Sequence, residues 1–377
     1  MLPGSASSGD NAVPSASLPS PAQTLSVLPL QVSPLRGWQL PLLQDPSFTD
    51  LLPLLQRSLL LQAPERLLHQ LAQRPPLAPD VLVAYRHPQQ PLGLVVSQRL
   101  NRSGSCWQLQ HLRTSESCLD AGEAGRLAIE ASLVREAIQR SRQAASWIAT
   151  SSSGDNGRLA LLRQQGFQPL RRETLWRWQP EHNSSELTSE HKPERTLPSD
   201  LQLRPLNRRT ALAMWQLEQA VLPAQLRQLL DRRVDDLLDQ SEQPSLMLID
   251  TARNQAVAGA RRLRGGWHGL PELELSLHPG WQHLLGEPLQ RLLECCAAGT
   301  EQLVVRSDAL DSSRGRWLQT LGMAPEGEEV LMARSVWRRH APHPSQEMVR
   351  RLETVLGHLQ PRQRPVPTPL GPTPLGR

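Results

Sequence analysis

Two glutamates, Glu272 and Glu274, stand two residues apart in the run "ELELSLH". On an extended strand that spacing puts both carboxylates on one face. A carboxylate so placed can take a proton from an attacking amine in the transition state. Either could serve as a general base by this spacing; a solvated strand face, with Glu272 near a turn, is the competing reading. Earlier in the chain the run "CWQLQHLRT" offers Gln108, Gln110 and His111 at the matching places, and only His111 can act as a base. Tyr85 is the sole tyrosine and falls on a strand candidate, where packing accounts for it. Cys106, Cys118, Cys295 and Cys296 form no C-x-x-C pair, and no two histidines share an H-x-x-x-H spacing. That pattern speaks for small apolar core thiols and against a metal centre.

Anion binding has its own requirements: free backbone N–H groups at a helix start, and glycines that let a phosphate approach. In "LELSLHPGWQHLLGEPLQRLLECC" (273–296), a loop holding Gly280 and Gly286 leads into a leucine-rich helix. Glu287 stands in the first turn of that helix, where a carboxylate repels phosphate. In "SESCLDAGEAGRLAIEASLVREAIQRS", Asp120 and Glu123 have the D-x-x-E spacing of a capping box, so side chains of the protein itself would satisfy the amides. "RGGWHG" (264–269) reads as a hairpin turn between strands rather than a phosphate cradle.

The elements that would carry these residues occur twice. "SWIATSSSGDNGRLALLRQQGF" (146–167) lies without a gap over "QLVVRSDALDSSRGRWLQTLGM" (302–323). Asp155 meets Asp311, Arg158 meets Arg314, Leu162 meets Leu318 and Gly166 meets Gly322. Each copy reads as a buried strand, a polar turn, an Asp-capped helix and a glycine stop. Upstream, "DVLVAYRHPQQPLGLVVSQRL" and "SLMLIDTARNQAVAGARRLRG" each read as strand, turn, strand, with Gly93 and Gly259 in the second strand. Leucine-rich stretches before them predict two helices in each block. Further helices are expected at 123–142 and 287–298. Each block therefore runs strand, two helices, three strands, helix, strand, helix, strand.

This order resembles the GNAT N-acetyltransferase superfamily, whose last conserved helix often reads N-x-x-A-x-x-L-Y-x-x-x-G-F before a closing strand. "DNGRLALLRQQGFQPLRRETLWRW" is similar to that pattern, and 311–337 gives a second version. The resemblance implies an α/β (α+β) fold of two tandem acyl-CoA N-acyltransferase-like domains, each a mixed, mostly antiparallel sheet flanked by helices. It further implies that acetyl-CoA, as substrate rather than resident cofactor, lies in a V-shaped opening between the diverging parallel strands four and five. Carried onto the second block, the strand-four backbone at Leu275, Ser276 and Leu277 would pair with the pantetheine. The loop Gln282, His283, Leu284, Leu285 and Gly286 would hold the pyrophosphate, with Glu274 as base. Pro279, Trp281 and Gln282 resemble the family's loop opening. At strict spacing Leu285 and Glu287 hold the two glycine positions; a one-residue insertion brings Gly286 and Pro288 near them instead. Leu162 and Leu318 stand where the family has its proton-donating Tyr, and Asp155 and Asp311 where it has Asn.

Two functions remain open: acyl transfer from acetyl-CoA to an amine of a small molecule or protein, with the second block as the active half, or a GNAT-fold binding or scaffold protein without chemistry. The expected organisation is a leader (1–25), a first domain (28–178), a linker (179–200), a second domain (201–340), an amphipathic helix (343–359) docked on the second block, and a Pro-rich tail (360–377). Trp176, Trp178 and Trp337 are expected in inter-domain or core packing. The 41 basic and 36 acidic residues give a net charge of +5 without a basic cluster, which argues against nucleic acid. No apolar run is long enough for a membrane span and the leader lacks a signal-peptide core, so a cytoplasmic monomer or homodimer is expected.

Overall fold

The computed structural model describes residues 29–61, 78–87, 90–116, 122–141, 143–179 and 197–335. Most of the expected leader and linker, the helix at 343–359, Trp337, Cys118, Asp120 and the tail lie outside the described residues.

In the first half, strand β1 (Gln31–Pro34) is followed by short helical turns, a helical stretch over 52–61, and then β2 (Asp80–His87), β3 (Gln90–Arg99) and β4 (Cys106–Thr114). Helix α1 (Gly122–Arg140), β5 (Ser146–Ser152), α2 (Asn156–Gln164) and β6 (Gln168–Trp178) complete it. The second half repeats the order with β7 (Leu201–Pro205), helices α3 (Ala211–Val221), α4 (Ala224–Leu230) and α5 (Val234–Gln240), then β8 (Ser241–Asp250), β9 (Gln255–Trp267) and β10 (Leu270–Leu277). Helix α6 (Glu287–Ala297), β11 (Leu303–Asp308), α7 (Ser312–Thr320) and β12 (Ala324–Ser335) close it. Three short helices stand between β7 and β8 where two were expected. Pro223, in extended backbone, separates α3 from α4, and Asp231 in the left-handed region ends α4.

Both helix caps follow the sequence pattern. The Asp155 carboxylate accepts from the Arg158 N–H at 2.9 Å, and the Asp311 carboxylate from the Arg314 N–H at 3.0 Å. Gly166 (φ 85°) and Gly322 (φ 78°) turn the chain left-handed at the far ends.

All twelve strands form one sheet in the order β1-β2-β3-β4-β5-β12-β6-β11-β10-β9-β8-β7. Reading inward from either edge gives the same sequence of elements, so the two halves are related about the β12–β6 seam. The last strands are exchanged. β12 pairs with β5 of the first half over Glu329–Ser335, while β6 pairs with β11 of the second half over Glu173–Trp178. The sheets expected for the two domains are thus continuous in a single sheet in which each half carries the other's final strand.

The exchange is held by apolar burial. β6 delivers Trp176 and Trp178 into the second core, against Leu273, Leu289, Leu292 and Val305. β12 delivers Val330 and Met332 into the first core, beside Trp107, Trp147 and Phe167. Each fully buried large apolar side chain contributes about 1.5–3 kcal/mol, so pulling the strands back would forfeit several such terms in both halves.

Candidate functional site

Both halves contain a pair of parallel strands that part company. β4 pairs with β5 only from Cys106 to Leu109, opposite Ser146 to Ala149. A bulge at Gln110 follows, where the register against β3 slips between Val96 and Ser97. An extra residue bends the bulged strand; beyond it Gln110–Thr114 have no partner in β5. In the second half β10 pairs with β11 only from Glu272 to Glu274, and Leu275–Leu277 are unpaired on that side. The expected splay is present twice.

The first slot opens into a polar cavity of about 410 Å³. Its floor is the end of β4 (Leu112, Arg113, Thr114), one wall is Arg126 and Glu130 of α1, another is Arg158 of α2, and the rim is Pro46, Ser47 and Asp50. Glu130 is fully buried and accepts from Arg126 Nη1 at 3.1 Å and from Arg158 Nη2 at 3.2 Å, both through Oε1. Its Oε2 is buried without a hydrogen-bond partner among the described residues. Arg158 Nη2 also donates to the Leu112 carbonyl at 2.9 Å, bridging α2 to the splayed strand. On β4, burial and the neighbouring Arg113 push the His111 imidazole below its ordinary value, with Asp50 opposing, so it is neutral at pH 7.

The second slot is built differently. Leu275, Ser276 and Leu277 are all buried and pair with Ala260, Gly259 and Ala258 of β9 on their other edge. Arg314 Nη1 donates to the Leu275 carbonyl at 3.3 Å, repeating the contact that Arg158 makes in the first half. The loop expected to cradle pyrophosphate folds as a 3₁₀ turn over Pro279–Leu284. Leu284 is buried, Trp281 and Leu285 pack on the same core, and the His283 ring lies 5.2 Å from that of Trp281. Gln282 is within the turn, and Gly286 is the N-cap of α6 with no side-chain cap bond. His278 Nδ1 accepts from the Gly280 N–H at 3.1 Å.

Glu274 is partly buried and is not free. It is ion-paired with Arg261, whose side chain is 1% exposed and whose Nε lies 2.8 Å from Glu218. Burial alone would raise the Glu274 carboxyl; Arg261, Arg232 and Arg171 outweigh it and hold it down to about 2. A carboxylate so stabilised is a weak base. Glu272 pairs with Arg306 at 2.6 Å, yet burial still leaves its carboxyl raised. Arg306 also lies 2.8 Å from both Glu173 on β6 and Glu329 on β12. One buried charge network therefore crosses the seam between halves.

Other expectations resolve structurally. Leu162 and Leu318 are buried at the Tyr positions. Burial raises the Cys106 thiol to about 11 and the Cys296 thiol to about 12, as for inert core cysteines. His268 (φ 47°) and Gly269 (φ 81°) form the two-residue turn joining β9 to β10. Among the described residues no cluster of His, Cys, Asp and Glu could hold a metal, and no helix is long and apolar enough to cross a membrane. The slot arginines were not predicted. Their signal was the gapless match of Arg158 with Arg314, at a position where the family pattern has Ala.

No family model and no curated protein matches this sequence. Among solved structures, a tandem GNAT protein from the clavulanic acid biosynthesis pathway matches at 16% identity with a TM-score of 0.53, covering 82% of this chain and 99% of that one. A GCN5-related N-acetyltransferase from Sphaerobacter thermophilus matches at 12% identity and a TM-score of 0.47, covering 82% and 97%. This chain has the tandem GNAT fold.

Proposed function

We propose that this protein transfers an acyl group from acetyl-CoA to an amine, and that the first half holds the carrier. The observation that carries the reading is the splay of β4 from β5 after Leu109, which opens onto the polar cavity. Unpaired strand backbone there offers N–H and C=O groups to an amide-bearing arm, and Arg113 on the floor and Arg126 on the wall supply positive charge. His111, neutral at pH 7, is the base that β4 offers to the incoming amine. The second half, with Leu275, Ser276 and Leu277 as floor and Glu274 as base, is the weaker candidate because Arg261 neutralises that carboxylate. A scaffold without chemistry is the second reading, favoured by the arginines lodged in both slots and the buried leucines at the Tyr positions.

Isothermal titration of the full chain with acetyl-CoA tests the proposal. Micromolar binding that weakens at least tenfold (about 1.4 kcal/mol) in Ser47→Trp, which fills the first cavity, is expected. Absence of heat at millimolar ligand would leave the scaffold reading.

A further inference from the structure

We infer that both slots are latched by an arginine of the chain itself, Arg158 in the first and Arg314 in the second, and that a carrier enters only as that arginine leaves. This inference rests on the acyl-transfer reading. Each arginine stands three residues after the capping aspartate, on the first turn of the helix that follows strand five. From there its guanidinium reaches across the gap to a carbonyl of strand four: Leu112 at 2.9 Å and Leu275 at 3.3 Å. Those carbonyls lie on the unpaired strand segment, where the N–H groups of an amide-linked arm would bond. A guanidinium donating to the carbonyl sits in the space such an arm must occupy.

The two latches are held with different strength. Arg158 is anchored by the fully buried Glu130 at 3.2 Å as well as by Leu112. Arg314 is held by Asp311 at 3.2 Å, a residue of its own helix cap, and by the longer bond to Leu275. Charge-assisted bonds to a buried carboxylate are the stronger kind. The first latch is therefore the firmer of the two, and its release leaves Glu130 paired with Arg126. Burial also lowers the Arg314 pKa, in keeping with a guanidinium that its partners do not fully compensate.

Titration with free CoA and with acetyl-CoA, on the full chain and on Arg314→Ala, Arg158→Ala and the double variant Arg158→Ala/Glu130→Gln, tests the latch. The double variant removes the buried carboxylate that Arg158→Ala alone would leave to Arg126. Arg314→Ala is expected to add a second binding event per chain, and loss of Arg158 to tighten the first at least tenfold. Binding that is measurable yet unchanged in every variant would overturn the latch while leaving acyl transfer standing. Weaker binding in the variants would overturn it as well, making the arginines ligand contacts. No binding by any form would overturn both readings.

Discussion

The two slots of this protein share one sequence pattern and differ in what lines them. In the first, a bulge after Leu109 bends β4 outward, and the space is bounded by arginines, a buried glutamate and hydroxyls. In the second, β10 continues without a bulge at its splay point, and the loop beyond it turns Leu284, Leu285 and Trp281 onto the core. A strand can therefore splay from its neighbour in two ways, one with a bulge beside a polar hollow and one without a bulge. The difference teaches that backbone divergence alone does not make a ligand site; the side chains that reach into the gap decide it.

The seam between the halves is the place where that comparison can be broken hardest. Arg306→Met would strand Glu272 and leave Glu173 with only Arg171, and Glu329 with only the Trp267 indole, among their described partners. Removing one partner of a buried ion pair costs about 3–5 kcal/mol, so a loss of that size in urea unfolding at pH 7 is expected. It should shrink on acidification, as these carboxylates protonate. Unchanged stability would mean that the exchanged strands are held by apolar contacts alone.

The neighbouring glutamates offer a sharper contrast, because they titrate in opposite directions. Glu274 has a folded value near 2, below its ordinary 4.5, so it stabilises the fold above pH 4.5 and that contribution is lost as pH falls towards 2. Glu272 is raised above 4.5, so its contribution is complete below that pH and is lost as pH rises through the raised value. Glu274→Gln should therefore flatten the rise of stability with pH between about 2 and 4.5, whereas Glu272→Gln should steepen it above 4.5. Equal slopes in both variants would show that the two carboxylates share one environment.

A smaller effect separates two strand glycines, Gly93 facing α1 and Gly259 facing α3. A Cβ on Gly93 would meet the Arg113 carbonyl at 2.8 Å, an atom fixed by the sheet. A Cβ on Gly259 would meet Met214 Sδ at 2.6 Å, on a side chain that can swing. Overpacking costs about 1–3 kcal/mol; Gly93→Ala should fall within that range and Gly259→Ala below it, read from thermal or urea unfolding. The reverse order would place the tighter helix–sheet contact in the second half.

Much of this was legible in the residues. The β4 strand, the capping aspartates, the glycine stops and the doubled order of elements follow from alternation, side-chain acceptors and left-handed backbone. The strand exchange was not legible, because β6 and β12 have similar patterns and either can satisfy either edge; only the fit of Trp176 and Trp178 into the second core distinguishes them. The partner of Glu274 was hidden by the hairpin. Counting from the turn, where Trp267 faces Leu270, puts Arg261 opposite Ser276. A bulge between Leu270 and Glu272 shifts the register by two and brings Arg261 opposite Glu274 instead. The side chain stays on the same face and finds a carboxylate, which turns an expected base into half of an ion pair.

A structure of the full chain with CoA at millimolar concentration would decide whether the first slot is a carrier site. The expected result is an amide-linked arm lying along Gln110–Thr114, with the Arg158 guanidinium moved off the Leu112 carbonyl. CoA found elsewhere, or a first slot left bare with Arg158 still bonded to that carbonyl, would contradict it.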